Sequence, residues 1–401
     1  MKRTKRIKIG LVLIAVPGYS ETFFRNKIHG LQANGIEVVL FVNDFKRDED
    51  NLGCKVISAP DFSKGVLKTV ITSLWLIVKA LFIQPKKNYN YFWLERKDGI
   101  SVKNCVKHII RHQYVFSESL DWLHFGFGML AIDRENVAKA IGAKMAVSFR
   151  GSDLYLSPLK HPGCYSRLFT KPVKYHVLSL SMQETLTAYG ISKTMVWVIP
   201  PAIDVNFFNK THGEDALPGL NFLTVARLHW KKGLEYTLEA LALLKNKGLV
   251  FHYFIIGTGD QYERLVFAAH QLGLKDSVTF LGKLTPKEVR AYMAQSDIYL
   301  QYSIQEGFCN AVLEAQAMGN LCVVSDAEGL PENVLHNKTG WVVPKRQPQA
   351  LADQIQDILA LPDSKKEGIR NQAVNRVQTK FRLEHQERDF YDFYSELRVN
   401  G

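Results

Sequence analysis

Short runs rich in Val and Ile alternate along the chain with longer segments whose apolar residues recur every three or four positions. The first pattern suits strands buried on both faces and the second suits amphipathic helices; their alternation predicts parallel sheets with helical crossovers. Strands are expected at 7–15, 36–42, 54–57, 120–123, 144–149, 173–179 and 195–199. Past the stiff pair Pro200-Pro201 they resume at 221–226, 251–256, 278–281, 297–302, 321–325 and 341–343. Helices are expected near 234–247, 261–272, 286–295 and 310–319, and a last one over 380–398. The chain therefore reads as α/β, with two doubly wound domains facing across a cleft, 1–200 and 201–379. The closing helix, about 380–401, is expected to pack back on the first domain. No low-complexity tract or repeat of solenoid period interrupts the series.

Two segments test this pattern. Met1-Lys-Arg-Thr-Lys-Arg6 followed by the apolar run to Val16 imitates the start of a signal peptide. No small-residue cleavage site follows, and Pro17-Gly18-Tyr19-Ser20 reads as a strand-to-helix turn, so a buried first strand behind a basic tail is expected. The run Gly65 to Ile83 has the length of a membrane-spanning helix, yet Lys68 and Lys79 lie inside it. Eleven residues apart at about 100° each, they fall near one face. Two readings stand side by side: a helix in the plane of an anionic bilayer, or one buried against its own sheet.

Composition narrows the class. The 401 residues are 46% hydrophobic and 22% charged, enough for two cores, which excludes a disordered chain or a multi-span membrane protein. Cys54, Cys105, Cys164, Cys309 and Cys322 are odd in number, widely spaced and free of any C-x-x-C pair, which fits a reducing, cytoplasmic setting. The formal charge is +12, and residues 1–115 hold 20 basic against 9 acidic side chains, nearly the whole excess. A field so concentrated points to an anionic partner of the first domain. Without a nucleic-acid-binding motif, a membrane surface at the inner face of the cytoplasmic membrane is favoured over nucleic acid.

The chemistry collects after strands, where open parallel sheets bind ligands. His124 follows 120–123, Arg150-Gly-Ser-Asp153 follows 144–149, Arg227 follows 221–226, and Lys232-Gly233 opens the next helix. A guanidinium fork and an ammonium at one strand-to-helix turn can grip a pyrophosphate together. Gly257-x-Gly259 alone is explained by a tight turn. In Glu306-Gly-Phe-Cys-Asn-Ala-Val-Leu-Glu314, Asn310 is an expected N-cap, leaving the first-turn amides to face an anion. Glu314, one turn in, is placed to accept bonds from sugar hydroxyls. Two carboxylates also evoke a glycoside hydrolase, but their spacing across a loop and a helix does not specify a pair flanking one bond. Asp48-Glu49-Asp50, formally a D-x-D manganese motif, reads as a charged loop.

Val225-Ala-Arg-Leu-His-Trp-Lys-Lys-Gly233 with Ser303-Ile-Gln-Glu-Gly-Phe-Cys-Asn-Ala-Val-Leu-Glu-Ala315 resembles the donor half of glycosyltransferase family 4. Glu306 to Glu314 matches its E-x7-E motif, and Gly329-Leu-Pro-Glu332 and Lys338-Thr-Gly340 continue the likeness. Tyr19-Ser-Glu-Thr-Phe-Phe24, His124-Phe-Gly126 and Arg150-Gly-Ser-Asp153 resemble members that build bacterial surface polysaccharides, including colanic acid. The resemblance implies a GT-B fold and a retaining, metal-independent hexosyl transfer from a nucleotide sugar to a glycan or lipid-linked acceptor. It implies that Arg227, Lys232, Gly18 and the amides of Asn310 and Ala311 hold the diphosphate. Glu314 would take the ribose, Glu306, Gly307 and Phe308 the donor sugar, and His124 would help organise the reaction. Arg150 and Asp153 would lie on the acceptor side. Arg150 stands where relatives often carry His, and Gly319-Asn-Leu-Cys-Val replaces the usual G-x-P-V-V. A nucleotide-sugar epimerase or hydrolase, or a non-catalytic membrane-associated assembly protein, remain alternatives at this level.

Overall fold

The computed structural model describes residues 6–18, 22–43, 52–63, 65–209 and 218–395. The basic tail 1–5, Tyr19-Ser20-Glu21 of the first turn, the acidic Asp48-Glu49-Asp50 and residues 396–401 lie outside the described residues. The chain forms two compact units. One takes residues up to Val177, Gln183–Ile199 and the chain from Glu387; the other takes Leu178–Met182 and Pro200–Gln386.

In the first unit seven parallel strands, β1 (Lys8–Val12), β2 (Glu37–Val42), β3 (Lys55–Ser58), β4 (Trp122–Phe125), β5 (Lys144–Ser148), β6 (Val173–Val177) and β7 (Val196–Val198), lie in the order β3-β2-β1-β4-β5-β6-β7. In the second, six parallel strands, β8 (Asn221–Val225), β9 (His252–Ile256), β10 (Val278–Gly282), β11 (Ile298–Gln301), β12 (Leu321–Ser325) and β13 (Trp341–Val343), lie in the order β10-β9-β8-β11-β12-β13. Each expected strand is present; the central ones are apolar runs buried on both faces, with Val38 to Val42 and all of β12 buried. Both sheets reverse their strand order once, at β1/β4 and at β8/β11. Those reversals open the crevices where parallel sheets take ligands.

Several boundaries differ from the pattern, and two of the differences bear on the expected site residues. Strand β4 starts at Trp122 rather than 120, because Asp121 is tied to β1: its N–H donates to Lys8 O (2.9 Å) and its Oδ2 accepts from Lys8 N (2.9 Å). His124 is therefore a residue of the strand, opposite Leu11 and Ala146, not the first residue after it. The helix expected over 310–319 is Asn310–Ala317 with Cys309 as its N-cap, and no side chain caps it. The Asn333 amide accepts from Cys309 N (2.9 Å) and donates to Cys309 O (3.0 Å), holding Cys309 extended so that the first helical residue is Asn310.

Helices α1 (Thr22–Ala33), α2 (Val66–Phe82), α3 (Pro85–Lys97) and α4 (Val102–Phe116) belong to the first unit. Helix α2 packs on α3 and α4 and buries only Leu76 and Ala80 of its seventeen residues. The alternative of a helix buried against its own sheet is thereby overturned. The last helix, Leu383–Ser395, feeds Phe390, Phe393 and Tyr394 into the core of the first unit. Phe393 packs on Trp122 (ring centroids 6.0 Å) and Trp197 (5.6 Å), and Trp122 Nε1 donates to Tyr394 O at 3.0 Å. Phe393→Ala should therefore cost about 3–5 kcal/mol, read as a loss of the first unit's unfolding midpoint in urea while the second unit's transition stays put.

Candidate functional site

The second unit brings its charged residues together at the β8/β11 reversal. After β8 the chain passes over β9 so closely that a Cβ at Gly257 or Gly259 would collide with Ala226 O or Leu228 O. Those two glycines, a mere turn by sequence, are required by this approach, which is secured by Ala226 N to Ile256 O (2.9 Å) and Leu228 N to Thr258 O (2.9 Å). A single helical turn, Trp230–Lys232, follows and ends at Gly233 with φ +61°. A Cβ at Gly233 would strike Tyr302 O, the first residue after β11, and Ile304 N donates to Lys231 O at 2.7 Å. The loops after β8 and β11 are thus clamped backbone to backbone, and Lys232 meets Glu306 in an ion pair. Each side chain keeps about 15% of its surface exposed, so the pair is reachable.

Around this pair the field is positive. The Arg227 side chain is exposed, and its charge lowers the proton affinity of both His229 and Lys232. His229 is pushed below its usual range by burial first and by Lys231 next. For Lys232, burial also works against the charge, but the Glu306 carboxylate overrides it and the net pKa is raised. An anion entering here meets Arg227, Lys231, Lys232 and His229 on one loop.

Glu306 is itself positioned. Ser303 Oγ donates to its Oε2 at 3.4 Å, its N–H donates to Glu328 Oε2 at 2.9 Å, and its carbonyl accepts from Gly329 N at 3.0 Å. Gly329 lies so near Gly307 O that no side chain fits. The Phe308 side chain is buried against Phe381 (centroids 5.7 Å), so this stretch offers backbone and not the Phe308 ring. The helix start at Asn310 and Ala311 follows directly. Glu328 and Asn333, which shape the loop, were missed by the sequence reading; their only signal was proximity to Gly329-Leu-Pro-Glu332. Glu314 is half-buried one turn into the helix, and burial lifts its carboxyl to about 7.

In the first unit the expected residues are placed differently. Gly18 follows β1, is exposed, and has open space where a Cβ would sit. His124 is fully buried. Its Nδ1 faces Tyr394 Oη (2.5 Å) and Lys27 Nζ (3.5 Å), and its Nε2 faces Ser148 Oγ (2.7 Å), which reaches His176 Nδ1 (2.7 Å). Burial drives both imidazoles well below their usual pKa, so they are neutral members of a core network. Asp153 is buried as well: its oxygens accept from Gly128 N (2.8 Å) and Arg150 N (2.6 Å), fixing the turn rather than facing an acceptor. The Arg150 guanidinium lies over the rings of Phe23 (3.5 Å) and Phe24 (4.3 Å). A cavity of about 850 Å³, lined by Trp122, Lys144, Lys171, Lys174 and Trp197 among others, opens at the amino ends of β4–β7, the edge opposite to these residues.

Two parallel sheets of this topology, each with a crevice at its strand reversal, make up the GT-B fold. Residues 216–376, within the second unit, match the family model of glycosyl transferases group 1. The amylovoran biosynthesis glycosyltransferase AmsK of Erwinia amylovora is 29% identical over 364 residues, 86% of this chain and 89% of its own length. The putative colanic acid biosynthesis glycosyltransferase WcaL of Escherichia coli is 26% identical over 394 residues, 94% of this chain and 96% of its own. The crystal structure of HepE from Anabaena in complex with UDP and glucose superposes with a TM-score of 0.72 at 16% identity, over 98% of this chain and 100% of that one, a likeness of fold.

The raised carboxyl of Glu314 carries a testable sign. Between its ordinary value of 4.5 and about 7 the folded protein keeps a proton that the unfolded chain gives up. Its contribution to stability is therefore fullest below 4.5 and is lost as pH rises through 7. Glu314→Gln should raise the melting temperature of the ligand-free protein at pH 8 and leave it nearly unchanged at pH 4.5, as differential scanning fluorimetry at the two values would read.

Proposed function

We propose that the protein is a retaining hexosyltransferase that carries a sugar from a nucleoside diphosphate sugar to a glycan or lipid-linked acceptor in surface polysaccharide biosynthesis. It acts without a metal ion, in the cytoplasm at the inner face of the membrane. The observation that carries the reading is the cation cluster Arg227, Lys231, Lys232 and His229 gathered at the β8/β11 reversal, with Lys232 reachable and paired to Glu306. The names of AmsK and WcaL, tied to amylovoran and colanic acid, support the pathway class, and the UDP and glucose bound by HepE support the donor class.

The chemistry follows from charge. As the anomeric C–O bond breaks, negative charge grows on the departing diphosphate and positive charge on the sugar ring. Arg227, Lys232 and the amides at Asn310 and Ala311 stabilise the first, an effect that preorganised donors make worth several kcal/mol. An entering diphosphate competes with Glu306 for Lys232, which turns the Glu306 carboxylate toward the sugar, beside the Gly307 and Phe308 backbone. Glu314, lifted to about 7 by burial, gains hydroxyl donors from a bound ribose that oppose that lift. The cations supply the charge compensation that the diphosphate needs. His124, buried with both ring nitrogens engaged, positions β4 and takes no part at the sugar in this proposal.

A thermal-shift series with UDP, GDP and ADP and their sugars tests the donor site, since a ligand at 100 times its dissociation constant adds about 2.7 kcal/mol to the native state. One nucleotide should shift the melting temperature, and Arg227→Ala should abolish the shift. With that donor and a lipid-linked acceptor, Arg227→Ala and Lys232→Ala should each lower turnover by about 10²-fold or more; rates near wild type would overturn the assignment. The anomeric configuration of the product, read by NMR, decides retention. Consumption of donor without acceptor would reassign the chain to hydrolysis or epimerisation.

A further inference from the structure

Helix α2 turns the wrong side outward for a soluble protein. Placed on a wheel at 100° per residue from Val66, its exposed apolar residues Val66, Val70, Leu81, Leu74, Leu67, Val78, Ile71, Phe82 and Trp75 fill a continuous arc of about 180°. The two buried residues, Leu76 and Ala80, lie near 280–320°, where α3 and α4 pack. Lys68 and Lys79 lie near 200–220°, directly beside the edge of the arc that ends at Trp75, and Lys79 Nζ stands 5.3 Å from the Trp75 ring centroid. The arc is not marginally open: Leu67 is 76% exposed and Phe82 79%.

The neighbouring helices expose large apolar residues as well. They are Tyr89 and Trp93 on α3 and Val102 and Val106 on α4, each pair four residues apart. Over 66–111 the chain carries nine Lys and Arg against Glu95 and Asp98. Glu95 is fully buried on His108, and Asp98 is paired with Lys171, so neither offsets the surface charge. Not every cation in this run faces out: Lys87 donates to Phe116 O (2.7 Å) and Glu118 O (2.9 Å), fastening α3 to the end of α4. Lys68, Lys86, Lys97, Lys103 and Lys107 are exposed.

We infer that α2, with the exposed faces of α3 and α4, is a docking surface for an anionic lipid bilayer, with α2 lying in the membrane plane. Its apolar arc enters the acyl boundary, and Lys68 and Lys79 reach back from the arc's edge to the phosphates. Trp75, Trp93 and Tyr89 supply the rings that favour the interfacial zone. Taken singly, none of the described helices is long and apolar enough to cross a membrane; α2 and α3 together have the length and composition, but they meet at a bend of 104°. A patch this large is rarely left open on a monomer. A second copy of the chain suits it less, because a twofold contact through α2 sets its lysines against their like-charged counterparts. An acidic surface satisfies the arc and its rim together. This surface goes beyond the transfer reaction and does not depend on it, since docking is measured without donor or acceptor.

Vesicle flotation at 0.1 M salt, comparing pure phosphatidylcholine with a 3:1 mixture of phosphatidylcholine and phosphatidylglycerol, tests the inference. The full chain should float with the anionic vesicles, with a blue shift of tryptophan emission, and much less with the neutral ones. Lys68→Gln with Lys79→Gln should weaken binding about fivefold for each charge removed. Leu74→Ser with Val78→Ser and Leu81→Ser should abolish flotation even at low salt. Because all five of these positions are exposed or at the arc's edge, both variants should keep the wild-type melting temperature and nucleotide response, which separates lost docking from lost folding or a failed donor site. A chain that stays with the supernatant, or variants that float like the parent, would overturn the inference. A dimer by light scattering that the serine variant dissociates, with no vesicle binding by the parent, would overturn it in favour of a second copy.

Discussion

The Gly233 Cα rests against the Tyr302 carbonyl with no space for a side chain, and the candidate site depends on that contact. It joins the loop after β8 to the first residue after β11, two strands that run side by side at the reversal of the sheet. Once the backbones touch, Ile304 can bond Lys231, and Lys232 is delivered to Glu306 by geometry rather than by long-range attraction. The same close approach is repeated at Gly257, Gly259 and Gly329, so the whole carboxyl edge of the second sheet is an assembly of main chain against main chain. The charged side chains are mounted on a frame that leaves them little freedom, which is what electrostatic preorganisation requires.

Much of this was legible in the sequence, for reasons that differ by element. Strands buried on both faces, such as β2 and β12, are unbroken apolar runs bounded by turn residues and are hard to mistake. Arg227, Lys232, Glu306 and Glu314 were legible because a strand precedes each cluster and because their spacing matches a known pattern. Asn333 and Glu328 were not, since they act on Cys309 and Glu306 from about two dozen residues away and no local spacing encodes such a bond. The helix start slipped from the expected cap at Asn310 for the same reason: a distant amide, not the local side chain, fixes Cys309.

His124 and α2 show the limit from two directions. Whether a polar residue at the end of an apolar run is the last inside the sheet or the first outside it turns on one or two residues of register. Here the pairing of Asp121 with Lys8 decided it and placed the imidazole in the core. For α2 the apolar period was read correctly, but a period says only that one face is apolar. Which way that face turns depends on what the rest of the chain places beside it, and α3 and α4 cover instead the narrow side that carries Leu76 and Ala80.

The glycine-to-carbonyl contacts at Gly233, Gly257, Gly259 and Gly329 also divide the site by tolerance to change. Any side chain at these positions meets a carbonyl oxygen that cannot move without unseating a strand, so the frame is closed to substitution. Trp230, exposed beside the cations, and Ile304, at the clamp, carry no such restriction. Descendants of this chain are therefore free to vary the walls that meet a ligand's distinctive parts while the seat for its common part stays fixed. The fold separates what can drift from what cannot, residue by residue, along a single sheet edge.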